Sequence, residues 1–100
     1  MNTYFLTFIA APSEDNEDYG KIKGVYAHFW VLDKSPENAQ IRAHHYLRQY
    51  NWTVQGLEQA PVETLPEHFA DRETGLANYH KAQQWGIAVS FAGWPTAHPK

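Results

Sequence analysis

The chain has no cysteine and a single methionine, and its few serines are Ser13, Ser35 and Ser90. Without cysteine there is no disulfide staple, no thiol nucleophile, no Cys-ligated zinc and no iron–sulfur cluster. None of the serines stands in a Gly-x-Ser-x-Gly setting, so a nucleophile elbow of the hydrolase type is excluded. The glycines at 20, 24, 56, 75, 86 and 93 are scattered and never take the spacing that cradles a phosphate, which argues against nucleotide binding by a standard loop. Cations are scarce too: eight Lys and Arg face eleven Asp and Glu, the net charge is −3, and no basic cluster exists. Phosphate backbones are recognised largely by clustered Lys and Arg, so no nucleic-acid partner is expected. Long apolar runs are missing as well. The longest, Tyr4 to Ala11 and Val25 to Leu32, fall far short of the ~20 residues that span a bilayer. Met1-Asn2-Thr3 carries none of the basic residues that open a signal peptide. The expectation is a cytoplasmic protein with no membrane partner.

What is present is a core. Hydrophobic residues make up 43% of 100 positions, enough for one domain over 1–94, with 95–100 expected as a flexible tail. Tyr4, Leu6, Phe8 and Ala10 alternate on one face of a first strand. Ala11 to Lys21, which contains the acidic run Glu14 to Asp18, reads as a loop. The stretch from Val25 to Trp52 spells out its own boundaries. A strand over Val25 to Leu32 ends at Asp33-Lys34. Ser35 can then cap orphan amides, Pro36 suits the first helical position, and Glu37 favours the positive helix end. The helix runs to about Tyr50 with Ala39, Ala43, Tyr46, Leu47 and Tyr50 on its inner stripe, and Asn51 is a left-handed stop. Trp52 to Leu57 resumes a strand, with Gly56 marking a bulge. Strand, helix, strand in this span is the pattern of a parallel crossover. Ala60 to Glu63 reads as a turn. Thr64 with Glu67 has the form of a capping box opening a short helix, a second helix covers Glu73 to Trp85, and Gly86 ends it before a last strand over Ile87 to Ala92.

The order strand, strand, helix, strand, helix, strand predicts an α+β two-layer sandwich: a mixed sheet of about four strands with both main helices packed on one face. It is ferredoxin-like in layout alone, and layout does not carry function. The buried face would bear Val25, Phe29, Val31, Val89 and Phe91, leaving the other face open.

Six histidines invite a metal-site reading. Yet His44 and His45 are adjacent and so diverge by about 100° around the helix. No His-Glu-x-x-His is present, and a site would need His28, His45 and His80 to converge from afar; no metal and no cofactor are expected. Glu67, His68 and Asp71 could form an acid–base group on one helical face, but Glu67 already serves the capping box, so no catalytic set is expected. Starting at Asp15, a calcium loop finds its glycine at Gly20 and fails at Tyr26, where the terminal carboxylate belongs.

The aromatics remain. With four Trp and six Tyr among the 15% of residues that are aromatic, some must lie near the surface. Tyr26, His28 and Trp30 share the face that the helices are expected to leave uncovered, and Trp94 reaches the same side from the last strand. Exposed aromatic area of this kind marks an interface or a ligand groove. The leading expectation is an interaction module that forms a homodimer through this face. The competing one is a small-molecule site between the sheet and the second helix, with His28 or His80 as acid–base group and Tyr26, Trp30 or Tyr79 stacking on the ligand. Cover by Pro95 to Lys100, or an acidic loop that neutralises a basic protein, are further alternatives.

Overall fold

The computed structural model describes residues 1–95, the last two by their backbone alone. Four strands and two helices follow one another as β1 (Asn2–Pro12), β2 (Ile22–Asp33), α1 (Pro36–Gln49), β3 (Trp52–Thr64), a 3₁₀ turn (Pro66–Phe69), α2 (Glu73–Trp85) and β4 (Ile87–Pro95). The α+β layout predicted from the pattern is present, with one sheet ordered β3-β1-β2-β4. Every neighbouring pair in it is antiparallel. The expected mixed sheet is corrected by the place of β1. It inserts between β2 and β3, so the strands joined through α1 never touch, and the strand order is not ferredoxin-like.

The larger departure concerns the helices, which lie on opposite faces. On one, α1 sets Ala39, Ala43 and Leu47 against Tyr4, Leu6, Phe8, Val25, Phe29 and Val31. The two alanines bring the helix close to the sheet, and Phe29 and Leu6 are among the largest fully buried side chains. On the other, α2 and the 3₁₀ turn place Ala82 and Phe69 over Trp30 and Ala88, with Phe5, Leu76 and Tyr79 packed alongside. Pattern reading put both helices together because Val25, Phe29 and Val31 form the more apolar face of β2. The reverse face also carries large rings at Phe5 and Trp30, and these need cover of their own.

The first helix starts as its sequence predicts. The Asn38 amide donates to Ser35 Oγ at 3.1 Å, with Pro36 opening the helix. Asn51 takes a left-handed φ of 67° and turns the chain into β3. Arg42 ties the helix to the end of β2, donating to the Leu32 carbonyl at 2.9 Å and to Asp33 Oδ2 at 3.1 Å. Burial works to raise the Asp33 pKa, but the Lys34 amide and the Arg42 guanidinium outweigh it and hold the carboxyl below its ordinary value.

Beyond Leu57 the chain does not turn but continues as strand to Thr64. Its pairing with β1 slips at three places, between Phe5 and Thr7, Thr7 and Phe8, and Ile9 and Ala10. The expected bulge near Gly56 is thus one of several, and the residues from Ala60 to Glu63 that looked like a turn include one of these irregular stretches. Where a capping box through Glu67 was expected, His68 is the residue that reaches back. Its Nδ1 accepts from the Leu65 amide at 3.1 Å and lies 2.9 Å from Thr64 Oγ1. No helix of the described residues is long and apolar enough to cross a membrane.

Candidate functional site

Across β1, β2 and β4 the second sheet face is built from rows of paired residues. Phe5, Trp30 and Ala88 form one row, Thr7, His28 and Ser90 the next, and Ile9, Tyr26 and Ala92 the third. The cover supplied by α2 and the 3₁₀ turn ends between the first row and the second. Trp30 is therefore 4% exposed, His28 half-buried and Tyr26 39% exposed. The face expected to be open is open over one half only, and Trp30 is withdrawn from any outer surface by Phe69 and Ala82. Trp94 pairs with Gly24 through its backbone, and its side chain lies outside the described residues, as do 96–100 of the expected tail.

At the edge of the cover a cavity of about 200 Å³ opens between α2 and the sheet. Its apolar wall is Phe5, Trp30 and Phe69. These rings hold one another in edge-on and tilted contacts, with centroids 5.1 Å apart for Phe5–Trp30 and 5.7 Å for Trp30–Phe69. His28 and Ser90 form the sheet side of the rim, and Arg72, Thr74 and Gly75 form the helix side. The imidazole of His28 stacks on Phe5 at 6.0 Å with the planes 12° apart, and its Nδ1 is 2.9 Å from Thr7 Oγ1. Burial lowers its pKa, so the ring is neutral near pH 7. With Nδ1 engaged by Thr7, Nε2 remains for a ligand.

Two features of the rim follow directly from the sequence. Arg72 stands at the N-cap position of α2, where its side chain cannot accept from the helix amides. The amides of Thr74 and Gly75 have no acceptor among the described residues, while that of Leu76 is satisfied by the Arg72 carbonyl at 2.9 Å. Gly75 is needed where it stands, since a Cβ there would come within 2.7 Å of Phe69 Cδ1. The helix therefore begins directly against the aromatic wall. Within that wall, Trp30 Nε1 is a buried donor with no partner among the described residues.

The other histidines do not join His28. His44 packs edge-on against Phe8 at 5.7 Å on the α1 face, His45 and His80 are exposed, and His68 is spent on the 3₁₀ turn. Among the described residues no three His, Asp or Glu side chains come together as a metal site would require. Glu67 and Asp71 are exposed and make no hydrogen bond with His68. Sequence reasoning named His28 and Trp30 for this site but missed Phe5, Phe69, Arg72, Thr74, Gly75 and Ser90. The one signal that could have pointed to the helix end is the lack of a Ser, Thr, Asp or Asn immediately before Glu73. The acidic loop after β1 is held against the α1–β3 turn, with the Ser13 amide donating to the Asn51 carbonyl at 2.9 Å and Asn16 Nδ2 to the same oxygen at 3.1 Å.

No family model matches this chain, and no curated protein or solved structure matches it at a significant level.

Proposed function

We propose that the protein is a binding module whose ligand is a small molecule seated in the cleft between α2 and the His28 row. The cavity walled by Phe5, Trp30 and Phe69, with His28 and Ser90 at its rim, carries this reading. The surroundings support a ring-sized guest: Phe5 and His28 offer half-buried flat faces, and Ser90 and His28 Nε2 offer polar contacts at the mouth. At about 200 Å³ the cavity is smaller than the ~300–1,000 Å³ of sites for drug-sized ligands, which limits the guest to one ring and one small polar group. Benzamide is a neutral probe of that size. Followed by amide and indole NMR, it is expected to shift the signals of Phe5, His28, Ser90 and the Trp30 indole, and Ser90→Trp, which fills the mouth, is expected to abolish those shifts. No shift at millimolar benzamide or benzoate would remove the reading.

Self-association is favoured by a different observation, and at the β4 edge rather than through the Tyr26 and Trp30 face where the homodimer was expected. From Ile87 to Pro95 the edge strand β4 carries no charged residue. Its exposed Ala92 belongs to the third row with Tyr26, and its exposed Phe91 lies beside Ala27 on the opposite face. Two copies pairing β4 to β4 in antiparallel fashion would form a closed, self-complementary interface. Light scattering at high concentration is then expected to give twice the 11.5 kDa chain mass, and a monomer at every concentration ends this second reading.

A further inference from the structure

We propose that the guest of the α2 cleft is a neutral aromatic hydroxyl compound, a phenol of one ring, whose hydroxyl bridges His28 Nε2 and Ser90 Oγ at the mouth while its ring rests on Phe5, Trp30 and Phe69. This rests on the binding reading above and adds to it the chemical class of the ligand and the way it lies.

His28 and Ser90 are direct partners across β2 and β4, and both line the cavity. Nδ1 of His28 is taken by Thr7 at 2.9 Å, and neither Nε2 nor Ser90 Oγ has a hydrogen-bond partner among the described residues. Among those residues the side-chain polar atom that is both buried and unpartnered is Trp30 Nε1, so the free atoms of His28 and Ser90 are open to a guest. Directly opposed residues of an antiparallel pair hold their Cβ atoms about 4.5–5.5 Å apart, a gap that a single oxygen spans with two hydrogen bonds of about 2.8 Å. Beneath this polar pair the wall is three uncharged rings.

A hydroxyl suits the pair because of the imidazole tautomer. The buried Thr7 hydroxyl bonds Nδ1 either by donating or by accepting, which makes Nε2 a donor in one case and an acceptor in the other. A guest hydroxyl donates and accepts at one atom, so it meets Nε2 in either state, and Ser90 Oγ supplies the complement. An amide presents two N–H groups and a carbonyl to these two partners and leaves part of itself unpaired. A carboxylate only accepts, and it sets a charge against an apolar wall, a costly transfer without a buried cation beside it. Arg72 is exposed on the helix side of the rim and keeps its charge in water. Burial holds the His28 ring itself neutral near pH 7.

Phenol and toluene share shape and differ in the hydroxyl, so the two compounds isolate the polar bridge. Followed by NMR, phenol is expected to shift the signals of His28, Ser90 and the Trp30 indole together. Ser90→Ala and His28→Phe are each expected to weaken phenol roughly three- to tenfold, the worth of one hydrogen bond, without weakening toluene. Ser90 is half-buried and its side chain bonds no described residue, so the first variant keeps the test decisive even if the second does not fold. Phenol affinity unchanged in Ser90→Ala, toluene weakened in step with phenol, or benzoate bound more tightly than phenol would each overturn the inference, while benzamide shifts at the same residues would leave the binding reading standing. No shift with any of the four compounds would remove both.

Discussion

His28 shows how one side chain on a sheet acquires a role through its neighbours. It sits one row beyond the covered rings, stacked on Phe5 and bonded at Nδ1 to the buried Thr7. Burial favours the neutral ring and lowers its pKa. The unfolded chain, with an ordinary histidine pKa of about 6.5, therefore binds more protons than the folded one as the solution is acidified below that value. Stability contributed by the neutral ring is fully present above the unfolded pKa and is lost as pH falls through the lower folded value. Urea melts are expected to show stability falling as pH drops below about 6.5, and His28→Gln, which can still bond Thr7 without titrating, should flatten that segment of the profile. An unchanged slope in the variant would assign the loss to another group. Asp33 is separate, because its lowered pKa places its loss at carboxylate pH values.

Helix α2 is defined by its start more than by its length. Its N-cap is an arginine without a capping bond, and its third residue is a glycine pressed against Phe69. Replacing glycine by alanine within a helix gains up to about 1 kcal/mol in propensity. Here the new methyl would meet the Phe69 ring at 2.7 Å, and that ring is pinned by Phe5 and Trp30. Overpacking costs about 1–3 kcal/mol, so the steric term wins. Gly75→Ala is expected to destabilise the protein in urea melts and to shift the Trp30 indole signal; a stabilised variant would show that the turn moves aside freely. At this scale the sequence was most readable where local chemistry decides. The Ser35 cap, the Ala39–Ala43–Leu47 stripe and the left-handed stops at Asn51 and Gly86 all stand where the pattern puts them. It was least readable where a distant partner decides. Ala60 to Glu63 looks like a turn by composition, yet pairing with β1 draws it into β3 through a bulged register. The face chosen by α2 depends on Phe5 and Trp30 becoming neighbours across two strands, and no local period records that. That His28 and Trp30 share a face was legible because strand alternation puts them together, whereas Arg72 and Gly75 arrive beside them from the other end of the fold.

In the whole molecule, helices on opposite sides of the sheet leave its two edges unlike each other. The β3 edge is interrupted by three register slips and carries Glu58, Pro61 and Glu63, devices that discourage pairing with another chain. The β4 edge carries no charge, and its proline and its one register slip, opposite Ile22 and Gly24, stand at its far end, which is why self-association should use β4. Ala92 is exposed on the same face as Tyr26, so Ala92→Lys is expected to return the mass to that of one chain without altering the thermal melt. A dimer that survives this charge would have to use another surface.

Although β3 and β4 are the outermost strands and share no hydrogen bond, they touch. Trp52 extends over the inner strands, where Ala10 and Ala27 are small, and its ring stacks on Phe91 at 5.2 Å with the planes 20° apart. Edge strands ordinarily fray one at a time, each opening at its own modest free energy. A ring clasp between them ties the two events, since peeling back β4 strips Trp52 of its stacking partner and releasing Trp52 lays bare the same patch beneath. The sheet thus behaves less like a ribbon with two loose hems than like a band buckled across its front, and a disturbance at either hem is felt at the other.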